Sequence, residues 1–320
     1  MIPDAAEIER AVALLNAGEL VAFPTETVYG LGADASNPAA VARIFAAKGR
    51  PETHPLIVHF SGLAAARDWV AEVPDAATRL AAAFWPGPLT LVLPKSARAS
   101  DAVTGGQSSV ALRVPAHPVA RALLAALGRG IAAPSANRYG RISPTCAADV
   151  REELGDRVAM VLDGGDCAVG LESTIVACLD GRVTLLRPGS ISRPQVADVV
   201  GRVDDPGADA PRVPGRGRSH YAPGTPLSIV EEPRLREVVE AALAAGGRVA
   251  VLARSAPMTQ AGLTWRRMPA AAPDYGHALY AALRALDAAG ADRILVESVP
   301  AGEDWAAVAD RLARAAVSGP

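Results

Sequence analysis

The chain has 320 residues with 34 acidic side chains against 32 basic ones. A formal net charge of −2 excludes a bulk nucleic-acid or membrane-surface binder while leaving room for a local basic cleft. No apolar run approaches the ~18 residues of a membrane span, and the acidic start Met1–Glu7 has no basic or apolar leader pattern. Cys146, Cys167 and Cys178 form no C-x-x-C pair, so neither a disulfide framework nor a structural zinc site is implied, and a soluble cytoplasmic protein of one large or two moderate domains is expected. The composition carries one oddity: 68 residues are alanine, and 30 of the 32 cations are arginine, leaving only Lys48 and Lys95. GC-rich codon usage accounts for the bias and raises the question of what the two lysines do.

Asp4 with Glu7 predicts a capping box, followed by a helix with Ile8, Ala11, Val12 and Leu15 on one face and Gly18 after its end. Leu20–Pro24 predicts a strand, and the run Pro24–Gly32 after it a polar, glycine-bearing loop at a strand's carboxyl end. Asn37-Pro38 opens a helix running to about Lys48. Strand 56–60, helices 62–71 and 75–84, a turn at Trp85–Pro88, strands 89–93 and 110–114, helix 118–127 and strand 131–133 follow. A helix near 146–154, strands 158–162, 174–179 and 182–187, and a helix from Ser192 complete this half. Successive strands without intervening helices predict a mixed sheet. Residues 204–226, dominated by Pro, Gly and Arg with no hydrophobic period, read either as a passive linker or as a segment that folds over an anion. Beyond them, strands at 227–231, 248–253, 263–268 and 292–297 alternate with helices at 233–245, 275–289 and 304–316, a small parallel α/β domain. The expected division is thus 1–203, 204–226 and 227–320.

Common nucleotide motifs are absent: there is no G-x-x-x-x-G-K-[ST], and Gly30-Leu31-Gly32 lacks a third dinucleotide-binding glycine. Glu26 in the Pro24–Gly32 loop is either part of a ligand site or solvated. Lys48-Gly49-Arg50 sets a compact ammonium beside a planar fork, which suits a triphosphate; the alternative is solvated charge at a helix end. Lys95 reads as surface. His59 ends a strand where it is either a satisfied structural histidine or points into a cleft, and Arg113 ends another where it could grip a carboxylate or close an edge salt bridge. Ser135 and Asn137 offer short polar groups after a buried strand.

Taken together, Leu20–Gly32, Lys48–Pro51, Pro55–His59, Val110–Pro115, Ala133–Asn137, Ser173–Val176 and Leu186–Gly189 occur in the order of the YrdC-like family. Pro214-Gly215 with Ser219–Pro223, ahead of a small α/β domain, is similar to that family's long two-domain form. The resemblance implies a twisted mixed sheet with an open cleft plus a Rossmann-like C-terminal domain. It implies L-threonylcarbamoyladenylate synthesis from L-threonine, bicarbonate and ATP, with Mg²⁺ accompanying ATP and pyrophosphate leaving. The product would feed tRNA threonylcarbamoyl-transfer machinery making N6-threonylcarbamoyladenosine, with at most weak tRNA contact and no membrane. Family positions imply L-threonine at Thr27, His59, Arg113, the Ala133 backbone and Ser173. They imply ATP at Lys48, Arg50, His54, Ser109, Ser135, Asn137, Ser143, Arg187 and Tyr221, with Lys48 and Arg50 supplying the catalytic charge. His54 departs from the family's usual Asn. Arg216, Arg218 and Tyr221 would close over the site. An RNA-binding module without catalysis is the competing class; few aromatics, balanced charge and no RNA-binding motif speak against it.

Overall fold

The computed structural model describes residues 3–215 and 220–316, which divide into two compact units: 3–139 with 143–215, and 140–142 with 220–316. Arg216 and Arg218 lie outside the described residues.

The first unit is built on nine strands: β1 (Val21–Phe23), β2 (Gly30–Asp34), β3 (Ile57–His59), β4 (Leu89–Pro94), β5 (Ser109–Arg113), β6 (Ile131–Ala132), β7 (Met160–Val161), β8 (Thr174–Leu179) and β9 (Arg182–Arg187). They lie in the order β7-β1-β2-β6-β3-β5-β4-β8-β9. The pairs β1–β7, β3–β5 and β4–β8 are parallel, and the other neighbours are antiparallel. This is the expected mixed sheet. The glycine-bearing stretch from Gly30, expected as loop, is instead strand β2. Its two glycines fit there because the Phe23 ring lies across them: a Cβ on Gly32 would come within 2.8 Å of that ring.

Alternation along the strands explains the layering. Leu31, Val58, Leu91, Leu112, Ala132 and Val176 face the main core. Helices Pro38–Lys48, Asp75–Phe84, Ala147–Leu154 and Arg193–Val200 cover it. On the opposite face the apolar residues fall into two smaller groups. Val21, Phe23, Ile131 and Ala133 pack under helices Ala5–Asn16 and Pro118–Leu127. Ile57, Val92, Ala111, Ile175, Ala177 and Leu186 pack with Val213. Polar side chains of the same alternating set are left between these groups. The expected helix 62–71 is split into Leu63–Ala66 and a 3₁₀ turn Arg67–Trp69, and a short helix Asp101–Thr104 was not foreseen.

The second unit has a fully parallel sheet, β10 (Leu227–Val230), β11 (Val249–Ala253), β12 (Leu263–Arg267) and β13 (Arg293–Glu297), in the order β10-β13-β11-β12. Helix Glu232–Ala244 packs Leu235 and Val239 on one face, against Val249, Val251 and Leu295. The alternate buried residues Ala250, Leu252, Ile294 and Val296 point to the other face. Helix Ala272–Asp287 buries Tyr275, Leu279, Tyr280 and Leu283. Among the described residues no helix is long and apolar enough to cross a membrane.

Candidate active site

Parallel pairing sets His59 directly beside Arg113 at the carboxyl ends of β3 and β5, with Thr90 opposite Arg113 on antiparallel β4. All three are buried and face the polar strip left between the two small apolar groups. Arg113 is held on every side. Its Nη1 donates to Thr27 Oγ1 at 2.9 Å, its Nη2 to Glu26 Oε1 at 2.7 Å and its Nε to the Gly87 carbonyl at 3.4 Å. Glu26 is buried rather than solvated, and its second oxygen accepts the Ala116 N–H at 3.0 Å. Burial alone would raise the Glu26 pKa, but the Arg113 charge and its hydrogen bond hold it below the ordinary carboxylate value.

His59 is pushed down to about 3 by burial first and by the Arg113 charge second, against the opposing pull of the Ile57 and Ile131 backbone. It is therefore a neutral ring at physiological pH. Among the described residues its buried Nδ1 has no hydrogen-bond partner, and its ring meets Phe23 edge-on at 6.1 Å. Thr90 Oγ1 and Ser173 Oγ lie 2.7 Å apart. Arg187, at the end of β9, donates through Nε and Nη2 to the Ser173 carbonyl at 3.1 and 2.8 Å and through Nη1 to the Pro214 carbonyl at 2.9 Å. Ser143 Oγ donates to Glu172 Oε1 at 2.6 Å.

The second group lies toward the starts of β3 and β5. Asn37 caps the N–H groups of Ala39 and Ala40, Pro38 starts the helix, and Gly49 ends it with φ of 65°. This fixes Lys48 in the last turn. Its buried ammonium donates to the Ser135 carbonyl at 2.6 Å and to the Asn137 carbonyl. Burial first, and then the Arg50 charge, hold its pKa well below the ordinary lysine value, with Glu153 pulling the other way. Arg50 Nη2 donates to the Pro55 carbonyl at 2.9 Å. His54 is half-buried, its ring edge-on to Tyr139 at 5.5 Å. Its pKa is lowered by burial, then by Arg50 and Arg212. Ser109 is buried at the start of β5. Ala133 donates its N–H to Ile57 at 2.9 Å, so the group it has left for a ligand is its carbonyl.

One loop joins the two groups. Thr27 accepts from Arg113, Tyr29 accepts the Ala136 N–H at 2.8 Å, and Gly30 pairs with Ser135. From Ser109 to Arg113 the floor runs roughly 13 Å at ~3.3 Å per residue. A cavity of about 300 Å³ beside Thr53 and Gly105 is lined by Glu52 and Asp101, acids that oppose an anion. Lys95 pairs with Asp101 at 2.5 Å and steadies the short helix there.

The segment expected as linker is not uniform. Residues up to 215 belong to the first unit, where Val213 is buried in the small apolar group and Pro214 meets Arg187. Tyr221 belongs to the second unit. There it is buried at φ 62°, stacked on Tyr280 at 5.8 Å and beneath Arg311 at 5.2 Å. Composition pointed to Lys48 beside Arg50 and left Glu26 open between a ligand site and solvent; Thr90, Glu172, Gln107 and Arg212 were not singled out. For Thr90 a signal existed: it shares the period-2 face of Val92 on β4.

Residues 13–189 match the family described as Telomere recombination, covering Sua5, YciO and YrdC, and residues 191–317 match the threonylcarbamoyl-AMP synthase C-terminal domain. A threonylcarbamoyl-AMP synthase of Bacillus subtilis is 42% identical over 97% of this chain and 93% of its own length. One of Pyrococcus abyssi is 38% identical over 97% and 94%. A crystal structure of P. abyssi Sua5 complexed with L-threonine superposes with a TM-score of 0.91 at 37% identity, covering 99% of this chain and 96% of that one. The chain belongs to the threonylcarbamoyl-AMP synthase family, a family of nucleotidyl-transferring enzymes acting in tRNA modification.

Proposed function

We propose that this chain condenses L-threonine, bicarbonate and ATP into threonylcarbamoyl-AMP, releasing pyrophosphate. The observation that carries this reading is a carboxylate-receptive end at Arg113 and a phosphate-receptive end at Lys48 and Arg50, joined by the Thr25–Gly30 loop. L-threonine, the ligand of the P. abyssi relative, would lie by Arg113 and Thr27, with neutral His59 and Ser173 against its polar atoms and the Ala133 carbonyl nearby. ATP would extend toward Lys48, Arg50, His54, Ser109, Ser135 and Asn137, with Ser143 and Arg187 bordering it. Tyr221 as a further ATP contact rests on the family resemblance alone.

The amine nitrogen of threonine bonds to the bicarbonate carbon with loss of water, giving a carbamate. A carbamate oxygen then bonds to the α-phosphorus as the bond to pyrophosphate breaks. No protein nucleophile is required; the residues position the reactants and neutralise charge. Among the described residues no group of three or more His, Cys, Asp or Glu could hold a metal, and the two acids nearest the strip are engaged by Arg113 and Ser143. The residues therefore do not form a magnesium cage; Mg²⁺ is proposed to arrive with ATP as part of the substrate. The product would be handed to tRNA-modifying transfer machinery in the cytoplasm. Pyrophosphate release measured with each reactant omitted in turn tests the reading. Release should require all three together, and release indifferent to threonine and bicarbonate would overturn it.

A further inference from the structure

Resting on the synthase reading, we propose that Arg212 is a further phosphate-binding residue of this site, gripping the outer phosphates of ATP and the departing pyrophosphate, and that Gln107 is the residue that positions it. The backbone sets the geometry. Gly105 and Gly106 both adopt left-handed conformations, at φ of 61° and 78°. Gly105 packs so tightly on the turn before β3 that a Cβ there would come within 2.4 Å of the Thr53 carbonyl and 3.2 Å of the Pro55 nitrogen. No other residue fits. This places the Gly105 carbonyl beside the Thr53–Pro55 turn.

Arg212 comes to that carbonyl from the far end of the unit's sequence. Gln107 clamps its backbone in both directions, its Oε1 accepting the Arg212 N–H at 2.7 Å and its Nε2 donating to the Arg212 carbonyl at 3.0 Å. Val213, the next residue, is buried against Ile57, Val92 and Ala111, and Pro214 is held by Arg187. The strap cannot slide without breaking these contacts. Its guanidinium donates to the Gly105 carbonyl at 3.0 Å. On the other side of the same turn, Arg50 donates to the Pro55 carbonyl at 2.9 Å. Two guanidinium groups therefore bracket His54, and Ser109 stands two residues beyond Gln107.

Both guanidinium charges act on the His54 ring between them, and a flexible chain of phosphates can touch both forks where a single carboxylate cannot. Arg212 is exposed, so its substitution opens no core.

The test is titration calorimetry of the full chain with ATP, AMP, inorganic pyrophosphate and L-threonine. Arg212→Gln should weaken ATP and pyrophosphate by about ten- to a hundredfold, the scale of a hydrogen bond to a charged group, while AMP and L-threonine stay within about twofold. Gln107→Ala should act in the same direction and less strongly. Arg212→Lys should recover part of the loss. Unchanged affinity for ATP and pyrophosphate in Arg212→Gln overturns the proposal, as does an equal loss for AMP and threonine, which would mark a purely structural strap. The synthase reading fails separately, when the unaltered protein releases no pyrophosphate with all three reactants present.

Discussion

The two ends of the site hold their cations in opposite ways. At the carboxyl ends of β3 and β5, Arg113 faces a buried carboxylate, Glu26, and a hydroxyl. At the starts of the same strands, Lys48 donates to the Ser135 and Asn137 carbonyls, Arg50 to the Pro55 carbonyl and Arg212 to the Gly105 carbonyl. A carboxylate neutralises a guanidinium; a carbonyl offers only a partial charge. The first end is thus rigid and nearly neutral before any ligand arrives, suited to orienting a small zwitterion. The second is left electropositive, and an arriving polyanion gains the interaction that the protein has not supplied.

The largest expected effect separates stability from activity at the two ends. Arg113→Leu leaves Glu26 buried without its partner and should cost about 3–5 kcal/mol of folding free energy, read as a lowered denaturation midpoint. Arg113→Leu combined with Glu26→Gln should recover much of that. Lys48→Ala should behave differently. Losing a clamp on the phosphates should remove roughly 2–4 kcal/mol of transition-state stabilisation. The folding loss should be smaller, about 1–3 kcal/mol for two carbonyls left without a donor. Denaturation and steady-state kinetics on both variants decide: equal stability losses would break the contrast drawn between the ends. Lys48→Arg should also be impaired, since a planar fork cannot occupy the pocket of an ammonium.

pH should sharpen the same contrast. His59 has a folded-state pKa of about 3 against ~6.5 in an unfolded chain. Between those values the unfolded chain carries the proton and the folded one does not. Stability therefore falls as pH drops through that window, by no more than about 1.4 kcal/mol per pH unit, and is unaffected by this group above it. Glu26, depressed below its ordinary value, adds a loss at still lower pH as it takes up its proton. His59→Gln should flatten the upper part of the profile. At the other end the sign reverses. The Lys48 pKa is depressed in the free protein, and phosphates favour the charged form, so ATP affinity should fall as pH rises through that depressed value. ATP titrations from neutral to alkaline pH, compared with Lys48→Ala, check this; identical profiles would remove Lys48 from the phosphate end.

Much of this was legible in the sequence because the signals were local. Asp4 with Glu7, Asn37-Pro38 and Ser192 mark helix starts that the structure shows with their cap hydrogen bonds in place, and strand periodicity gave β4, β8 and β9 nearly to the residue. The oddity of two lysines pointed to Lys48, which turned out buried on two carbonyls. Lys95 is a surface ion pair. What stayed illegible depends on long-range contact. Gly30-Leu31-Gly32 looked like a ligand loop because nothing local reveals that the Phe23 ring will fill the space over both glycines. Glu26 stayed open between a ligand site and solvent because its partner lies 87 residues away. Arg212 was hidden in a Pro-, Gly- and Arg-rich stretch whose composition describes either a tether or a segment over an anion, and the core residue beside it is Val213.

That residue gives the smallest and most specific test of the comparison. Val213→Ala removes two buried methyl groups from the wall beside Ile57 and Ala111 and should cost about 1–2 kcal/mol at ~0.8 kcal/mol per buried carbon. Its effect on ligands should be uneven. The strap touches the phosphate end through Arg212 and Gly105, whereas Arg113 is anchored independently by Glu26, Thr27 and Gly87. Loosening the strap should therefore raise the KM for ATP by a few-fold and leave the KM for L-threonine unchanged. A parallel rise in both would mean that the two ends are mechanically one body, and that the difference in how they hold their cations does not translate into separate control of the two substrates.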